Sequence, residues 1–479
     1  MRSQATNPWV VLVVICLAQF MVVLDGTIVN VALPSIQVDL HLSDGSLQWL
    51  VNAYTLVFGG FLLLGGRLGD LLGRKRLFLI GLTIFTTASL LDGLSGSESL
   101  LIGARSLQGL GAALISPAAL SIIATTFEEG AERARAIAVW AAIAIGGSAA
   151  GLIVGGALTQ YFSWPWIFFV NVPVGIAAFV LAFRLVPESR DDHAHRSYDV
   201  GGAVTVTGGL MSLVYAIVGA QSAGWGSAKT LGLFTLAFAL LASFVVIELR
   251  AKAPLVRLSI FRVRSLLTAN VAMLLAMSAI FAMFFFNTLY LQRVLGYGPL
   301  QAGLAFLPFT AGIMLSAALA SQFAPRLGVR PVAAAGFLLT ATGLALLTQL
   351  PAHGSYLVDV LPALVLTALG IGAVFMPLTL IATTGLDDAD QGLASGLFNT
   401  SQQIGGALGL AVLSTLATSK MGSGTDATAG LVTGFHWAFG GAAALTLAAL
   451  AVMVTLLRQK HVARIEEQAA SGEPLLIAA

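Results

Sequence analysis

Polar residues fall in short clusters along this chain, and long apolar runs stand between them. A helix that crosses a bilayer needs roughly 20 mostly apolar residues. Polar, Gly or Pro punctuation divides the chain into fourteen such runs: 9–33, 47–66, 77–96, 99–126, 134–160, 166–186, 200–221, 229–249, 266–291, 302–323, 331–350, 356–385, 393–417 and 435–457. The pattern predicts an all-α integral membrane protein with fourteen spans. The first run is longer than a signal-peptide core and lacks a small-residue cleavage site, so it reads as a retained span.

Composition agrees. The 479 residues are 57% hydrophobic and 10% charged, where a soluble domain carries about 25% charge. The net charge of +2 gives no reason to expect a nucleic-acid partner. Cys16, inside the first span, is the only cysteine, which rules out an intrachain disulfide and a cysteine metal site. There is no Gly-x4-Gly-Lys-Ser/Thr phosphate loop and no soluble segment long enough to hold one, so no ATP is expected. The six histidines lie in loops or near span ends, which speaks against a metal site or an embedded enzyme. No cofactor is expected.

The basic residues set an orientation. With the N-terminus taken as cytoplasmic, the outer segments hold only Lys229, Arg293 and Lys420, Arg105 lies within a span, and the other twenty of the 24 Lys and Arg face inward. By the positive-inside rule both termini are cytoplasmic, with the chain in the plasma (inner) membrane of a bacterium.

The chain also resembles itself. ATTFEEGAERA (124–134) matches ATTGLDDADQG (382–392). GGSAAG (146–151) matches GGALGL (405–410), and RLG at 67–69 matches RLG at 326–328, both at an offset of 259 residues. Two parallel repeats of six spans, with two spans inserted between them, account for that offset. The expected organisation is a bundle over 1–186, a cytoplasmic linker over 187–199, two inserted spans over 200–250, an amphipathic linker over 251–265, a second bundle over 266–458 and a tail over 459–479.

Four motifs stand at fixed places in this frame: LDGTIVNVALP (24–34) in span one, GGRLGDLLGRKR (65–76) between spans two and three, LIGARSLQGLGAA (101–113) in span four, and GGSAAGLIVGG (146–156) in span five with WPWIFFVNVPVG (164–175) after it. In that order they resemble the major facilitator superfamily in its fourteen-span drug:proton antiporter family (EmrB/QacA type). The resemblance implies two six-helix bundles with two extra transmembrane helices, and proton-coupled antiport of lipophilic drug-like molecules by alternating access. Gly151-Leu152 replaces the usual Gly-Pro of span five, which leaves proton symport of a small metabolite as an alternative. Export of a self-made natural product alone is another.

Ionisable residues within spans are costly and mark ion pathways or proton relays. Asp25 in span one and Arg105 in span four lie at similar depth, so the pair reads either as a proton carrier modulated by an Arg or as a static pin between helices. Asp92, near the end of span three, is an auxiliary acid or an interfacial residue. Gln108 follows Arg105 on the same helical face. Gly66, Gly69, Asp70, Gly73, Arg74 and Lys75 form the charged loop. Positive-inside topology explains its cations, and the resemblance implies that it latches the two halves, with the start of span thirteen receiving Asp70. Gly147, Gly151, Gly155 and Gly156 permit close helix contact, and the resemblance adds a seal against proton leak. Phe285 and Asn287 of span nine and Asn399, Gln402 and Gln403 of span thirteen, with Gln108, are the expected substrate wall, because aromatic and amide side chains suit adaptable apolar pockets.

Overall fold

In the computed structural model, residues 7–128, 130–189, 199–251, 254–383, 388–421 and 427–457 are described, and every regular element among them is helical. The side chains at 70, 71, 131, 134, 221, 222, 388–391 and 427 lie outside that description, as do most of the linker over 187–199 and the tail over 459–479.

The amino-terminal helices are α1 (Pro8–Asp39), α2 (Asp44–Leu72), α3 (Arg74–Gly93), α4 (Glu98–Thr126), α5 (Ala131–Tyr161), α6 (Trp166–Phe169) and α7 (Asn171–Leu185). Next come α8 (Val200–Ala223) and α9 (Ala228–Arg250), then α10 (Arg264–Leu289), α11 (Pro299–Ala305), α12 (Leu307–Leu327), α13 (Val329–Leu347), α14 (Leu361–Thr383), α15 (Asp388–Lys420) and α16 (Ala427–Leu456). Thirteen helical stretches among the described residues are long and apolar enough to cross a membrane. The fourteenth expected span is α15, 33 residues long. Its middle carries Asn399, Gln402 and Gln403, which lower its hydropathy.

The described residues up to Gly208, together with Leu241–Leu255, form one compact unit, and Gly209–Leu240 with the described residues from Val256 onward form another. Each unit repeats the same internal arrangement. In the first, α1 packs on α5, α2 and α3 both pack on α4, and α3 packs on α7. In the second, α10 packs on α15, α12 and α13 both pack on α14, and α13 packs on α16.

Small residues set these contacts. Along the antiparallel α3–α4 pair, a Cβ at Gly81 would lie 3.0 Å from Gly111 O, and one at Gly111 would lie 2.7 Å from the Phe85 nitrogen. The α1–α5 pair is as close: a Cβ at Gly147 would lie 3.3 Å from Phe20 O, at Gly151 2.7 Å from Leu24 O, and at Gly155 2.8 Å from Ile28 O. Gly156 is buried beside them. In the second unit Gly405 and Gly409 of α15 meet the backbone of Leu274 and Ser278 of α10, and Ser278 Oγ donates to Gly405 O at 2.8 Å.

The charged segment GGRLGDLLGRKR is mostly helix rather than loop. Helix α2 runs through it to Leu72, and one residue, Gly73 at φ 101°, joins α2 to α3. Gly328 at φ 88° is the matching joint between α12 and α13. Gly328 therefore stands in the place of Gly73 rather than Gly69, and the second copy of the signature is one helical turn shorter than the repeat offset implies.

Candidate functional site

The first unit closes around a buried ion pair. Asp25, midway along α1, is 0% exposed and Arg105 of α4 is 1% exposed. Arg105 Nη1 lies 2.7 Å from Asp25 Oδ2. The same guanidinium donates from Nε to Leu50 O of α2 at 3.1 Å and from Nη1 to Gln108 Oε1. Its face lies 4.4 Å from the centre of the Tyr54 ring and 5.8 Å from that of Phe168. Cation–π contacts of this kind are worth about 2 kcal/mol when desolvated.

The other carboxylate oxygen is saturated as well. Asp25 Oδ1 accepts from Gln108 Nε2 at 2.7 Å and from Asn171 Nδ2 at 2.8 Å. Gln108 Nε2 also donates to Ser89 Oγ of α3 at 2.8 Å, and Ser89 donates on to Phe85 O at 2.9 Å. An isolated charge in hydrocarbon is prohibitively costly; here both charges are paired and hydrogen-bonded.

Pro173 has no N–H to give Phe169 O, so one helical hydrogen bond is missing there, while Val170 keeps helical dihedrals (φ −60°, ψ −28°) and its N–H still donates to Trp166 O. Asn171, at the start of α7, donates its amide to Asp25 of α1. Asn171 lies within WPWIFFVNVPVG, but a neutral amide in an apolar run carries no signal of its own, and sequence reasoning missed it along with Ser89 and Tyr54.

Asp92 is fully buried in the last turn of α3, and among the described residues neither of its carboxylate oxygens has a hydrogen-bond partner. On α2, Asn52 is fully buried, and both its amide atoms are unpartnered among the described residues.

The remaining expected site residues are elsewhere. Gln108, read from the sequence as a substrate-wall residue, is buried inside the ion-pair cluster, where its amide is fully engaged. Asn287 of α10 is fully buried with an amide that is unpartnered among the described residues, and Phe285 is buried edge-on to Phe286. On α15, Gln402 Nε2 donates to Asn399 Oδ1 at 3.2 Å, and both side chains, like that of Gln403, are half-buried.

At the α2–α3 joint, Gly66 packs on Pro117 and Gly69 on Leu77. The Asp70 side chain lies outside the described residues. The start of α3 is held by a partner the sequence did not announce, Glu188. Its Oε1 accepts from the Lys75 backbone N at 3.1 Å, and its Oε2 lies 3.7 Å from Arg76 Nε. Arg74 N donates to Ser189 O at 2.9 Å, and Lys75 Nζ donates to Phe183 O at 2.8 Å.

Comparison with known proteins supplies the family. The Major Facilitator Superfamily profile matches residues 15–410. The chain is 43% identical to the puromycin resistance protein pur8 of Streptomyces alboniger over 86% of its own length and 82% of that protein's. It is 40% identical to the cephamycin export protein CmcT of Amycolatopsis lactamdurans, over 95% and 93%. It is 34% identical to a lincomycin resistance protein of Streptomyces lincolnensis, over 86% and 84%. Its fold superposes on a solved nucleoside transporter, NupG, with a TM-score of 0.67 at 13% identity, over 94% of this chain and all of the other. A family match over most of its length, carried on two helical units with one internal pattern, makes this chain a member of the Major Facilitator Superfamily.

Proposed function

We propose that this protein exports antibiotic-like lipophilic small molecules across the bacterial plasma membrane in exchange for protons, as a fourteen-span antiporter with both termini cytoplasmic. The names of its relatives, which concern puromycin, cephamycin and lincomycin, support the substrate class. The observation that carries the coupling is the Asp25–Arg105 pair, an acid and a base sealed inside an apolar bundle. Intramembrane charges of this kind serve ion pathways. A family of transporters with no nucleotide loop in this chain points to a gradient rather than ATP.

The energetics are sufficient. One proton entering down about 150 mV releases roughly 3.5 kcal/mol, which sustains a concentration ratio of a few hundredfold for a neutral drug exchanged one for one.

The test uses inverted membrane vesicles with an imposed pH step and a panel of puromycin, a cephamycin and lincomycin. Antiport requires substrate-induced proton release in the wild type, with substrate and protons moving in opposite directions. Substrate and protons moving in the same direction would establish symport instead.

A further inference from the structure

We propose that Asp92, rather than Asp25, is the group that takes up and gives back the coupling proton in the first unit. The assignment rests on the proton-coupled reading above and names the atom pair that serves it, the Asp92 carboxylate oxygens.

Position comes first. Helices α3 and α4 are antiparallel, and their register is fixed by Gly81 against Ile115, Phe85 against Gly111 and Ser89 against Gln108. One turn further along, Asp92 comes level with Arg105. The cluster thus holds two carboxylates for a single guanidinium, and Arg105 is committed to Asp25.

The two acids have opposite surroundings. Asp25 receives three donors: Arg105 on one oxygen, Gln108 and Asn171 on the other. That environment fixes a negative charge. Asp92 is 0% exposed, receives no donor on either oxygen from the described residues and sits in the final turn of α3, which has no basic residue. The C-terminal end of a helix is the negative end of its dipole and disfavours an anion. An ionised carboxylate without donors or a second cation is the costliest group a membrane bundle can hold, so in this conformation Asp92 carries a proton.

Among the described residues, the groups that face Asp92 are few. Helix α4 brings Arg105, with Asp25 of α1 behind it. Helix α2 brings Tyr54 beside that guanidinium. Helix α6 brings the Phe169 ring, which lies against Gly93, and no titratable side chain. The charged residue of α7, Arg184, lies in its last turn, at the end where Lys75 meets Phe183. Deprotonation of Asp92 therefore waits on Arg105 leaving Asp25, or on water reaching the end of α3. A proton from one aqueous side binds an Asp92 oxygen and cancels its charge. Its departure to the other side restores the charge, and the cluster moves between net zero and one negative charge.

The test is infrared difference spectroscopy of the whole protein in lipid, between acid and alkaline buffer. The expected result is a titrating protonated-carboxyl C=O band in the wild type that disappears in Asp92→Asn and persists in the double variant Asp25→Asn/Arg105→Gln. Asp92→Glu, which keeps an acid, shifts the titration midpoint of the band. A band that survives in Asp92→Asn, vanishes only with Asp25, or ignores Asp92→Glu overturns the proposal. Pyranine-loaded proteoliposomes given puromycin, a cephamycin or lincomycin separate the two readings. If the band belongs to Asp92 but none of the three compounds moves protons, the antiport reading fails and the proton site stands. If these compounds move protons through Asp92→Asn as through the wild type, antiport stands and this assignment fails.

Discussion

Gln108 and Asn171 converge on one atom, Asp25 Oδ1, at 2.7 and 2.8 Å. One amide comes from the middle of α4 and the other from the first residue of α7, so the α1 carboxylate ties three helices together. Both amides serve a charge, and hydrogen bonds to charged groups are the strong ones.

Replacing Asn171 with Leu removes one donor from that buried anion. We expect Asn171→Leu to lose about 2 kcal/mol of stability, in the range for hydrogen bonds to charged groups. Asn171→Asp should lose more, because it sets a second carboxylate against Asp25. Thermal melting of the purified protein in detergent reads both; variants that melt with the wild type would show that Asn171 does not hold the cluster.

Arg105 serves three acceptors with one planar fork, which a lysine ammonium does not reproduce. Arg105→Ala leaves a buried uncompensated carboxylate, a loss of about 3–5 kcal/mol. The expected order of folded yield by size-exclusion chromatography is wild type, then Arg105→Lys, then Arg105→Ala. Asp25→Asn/Arg105→Gln, with no net charge left, should recover folded yield without recovering drug resistance. A double variant as poorly folded as Arg105→Ala would contradict this account.

Much of the frame is legible in the sequence, because bilayer thickness demands long apolar runs and charge inside them is rare. Asp25 and Arg105 stand out for that reason. Helical periodicity adds Gln108, although its role differs from the one expected. Asn171 and Ser89 are silent because a neutral polar residue in a span costs too little to mark the chain. Glu188 is hidden among the charges of a linker, where nothing local distinguishes the acid that caps α3. The extension of α2 through Arg67 and Asp70 is equally hidden, since charged residues at a helix end look the same as charged residues in a loop.

The α1–α5 contact offers a paired test within one helix. A Cβ at Gly146 would meet nothing within 4 Å, while one at Gly151 would press on Leu24 O at 2.7 Å. Gly146→Ala should leave stability and efflux at wild-type levels. Gly151→Ala should cost about 1–3 kcal/mol, the usual penalty for overpacking. Melting temperatures and resistance to puromycin, measured side by side, decide it; equal effects at the two positions would remove the contact as a cause.

The joint at Gly73 combines two constraints. Its φ of 101° is a conformation that suits glycine, and a Cβ there would lie 2.6 Å from Glu188 Oε1. Strained backbone of this sort costs about 1–3 kcal/mol, and loss of the Glu188 cap about 1 kcal/mol. In Gly73→Ala/Glu188→Ala the collision is relieved and the strain remains, so the double variant should be less destabilised than the sum of the singles. Strict additivity in thermal melts would mean that the two residues act separately.

The three glycine contacts between α1 and α5 limit how the first unit rearranges. Backbone meets backbone on successive turns, which leaves neither helix room to roll or slide on the other. Asp25 therefore travels with α5 as cargo of a stiff two-helix beam. Any parting of the charge cluster is left to the partners that bring Arg105, Asp92 and Asn171 to it.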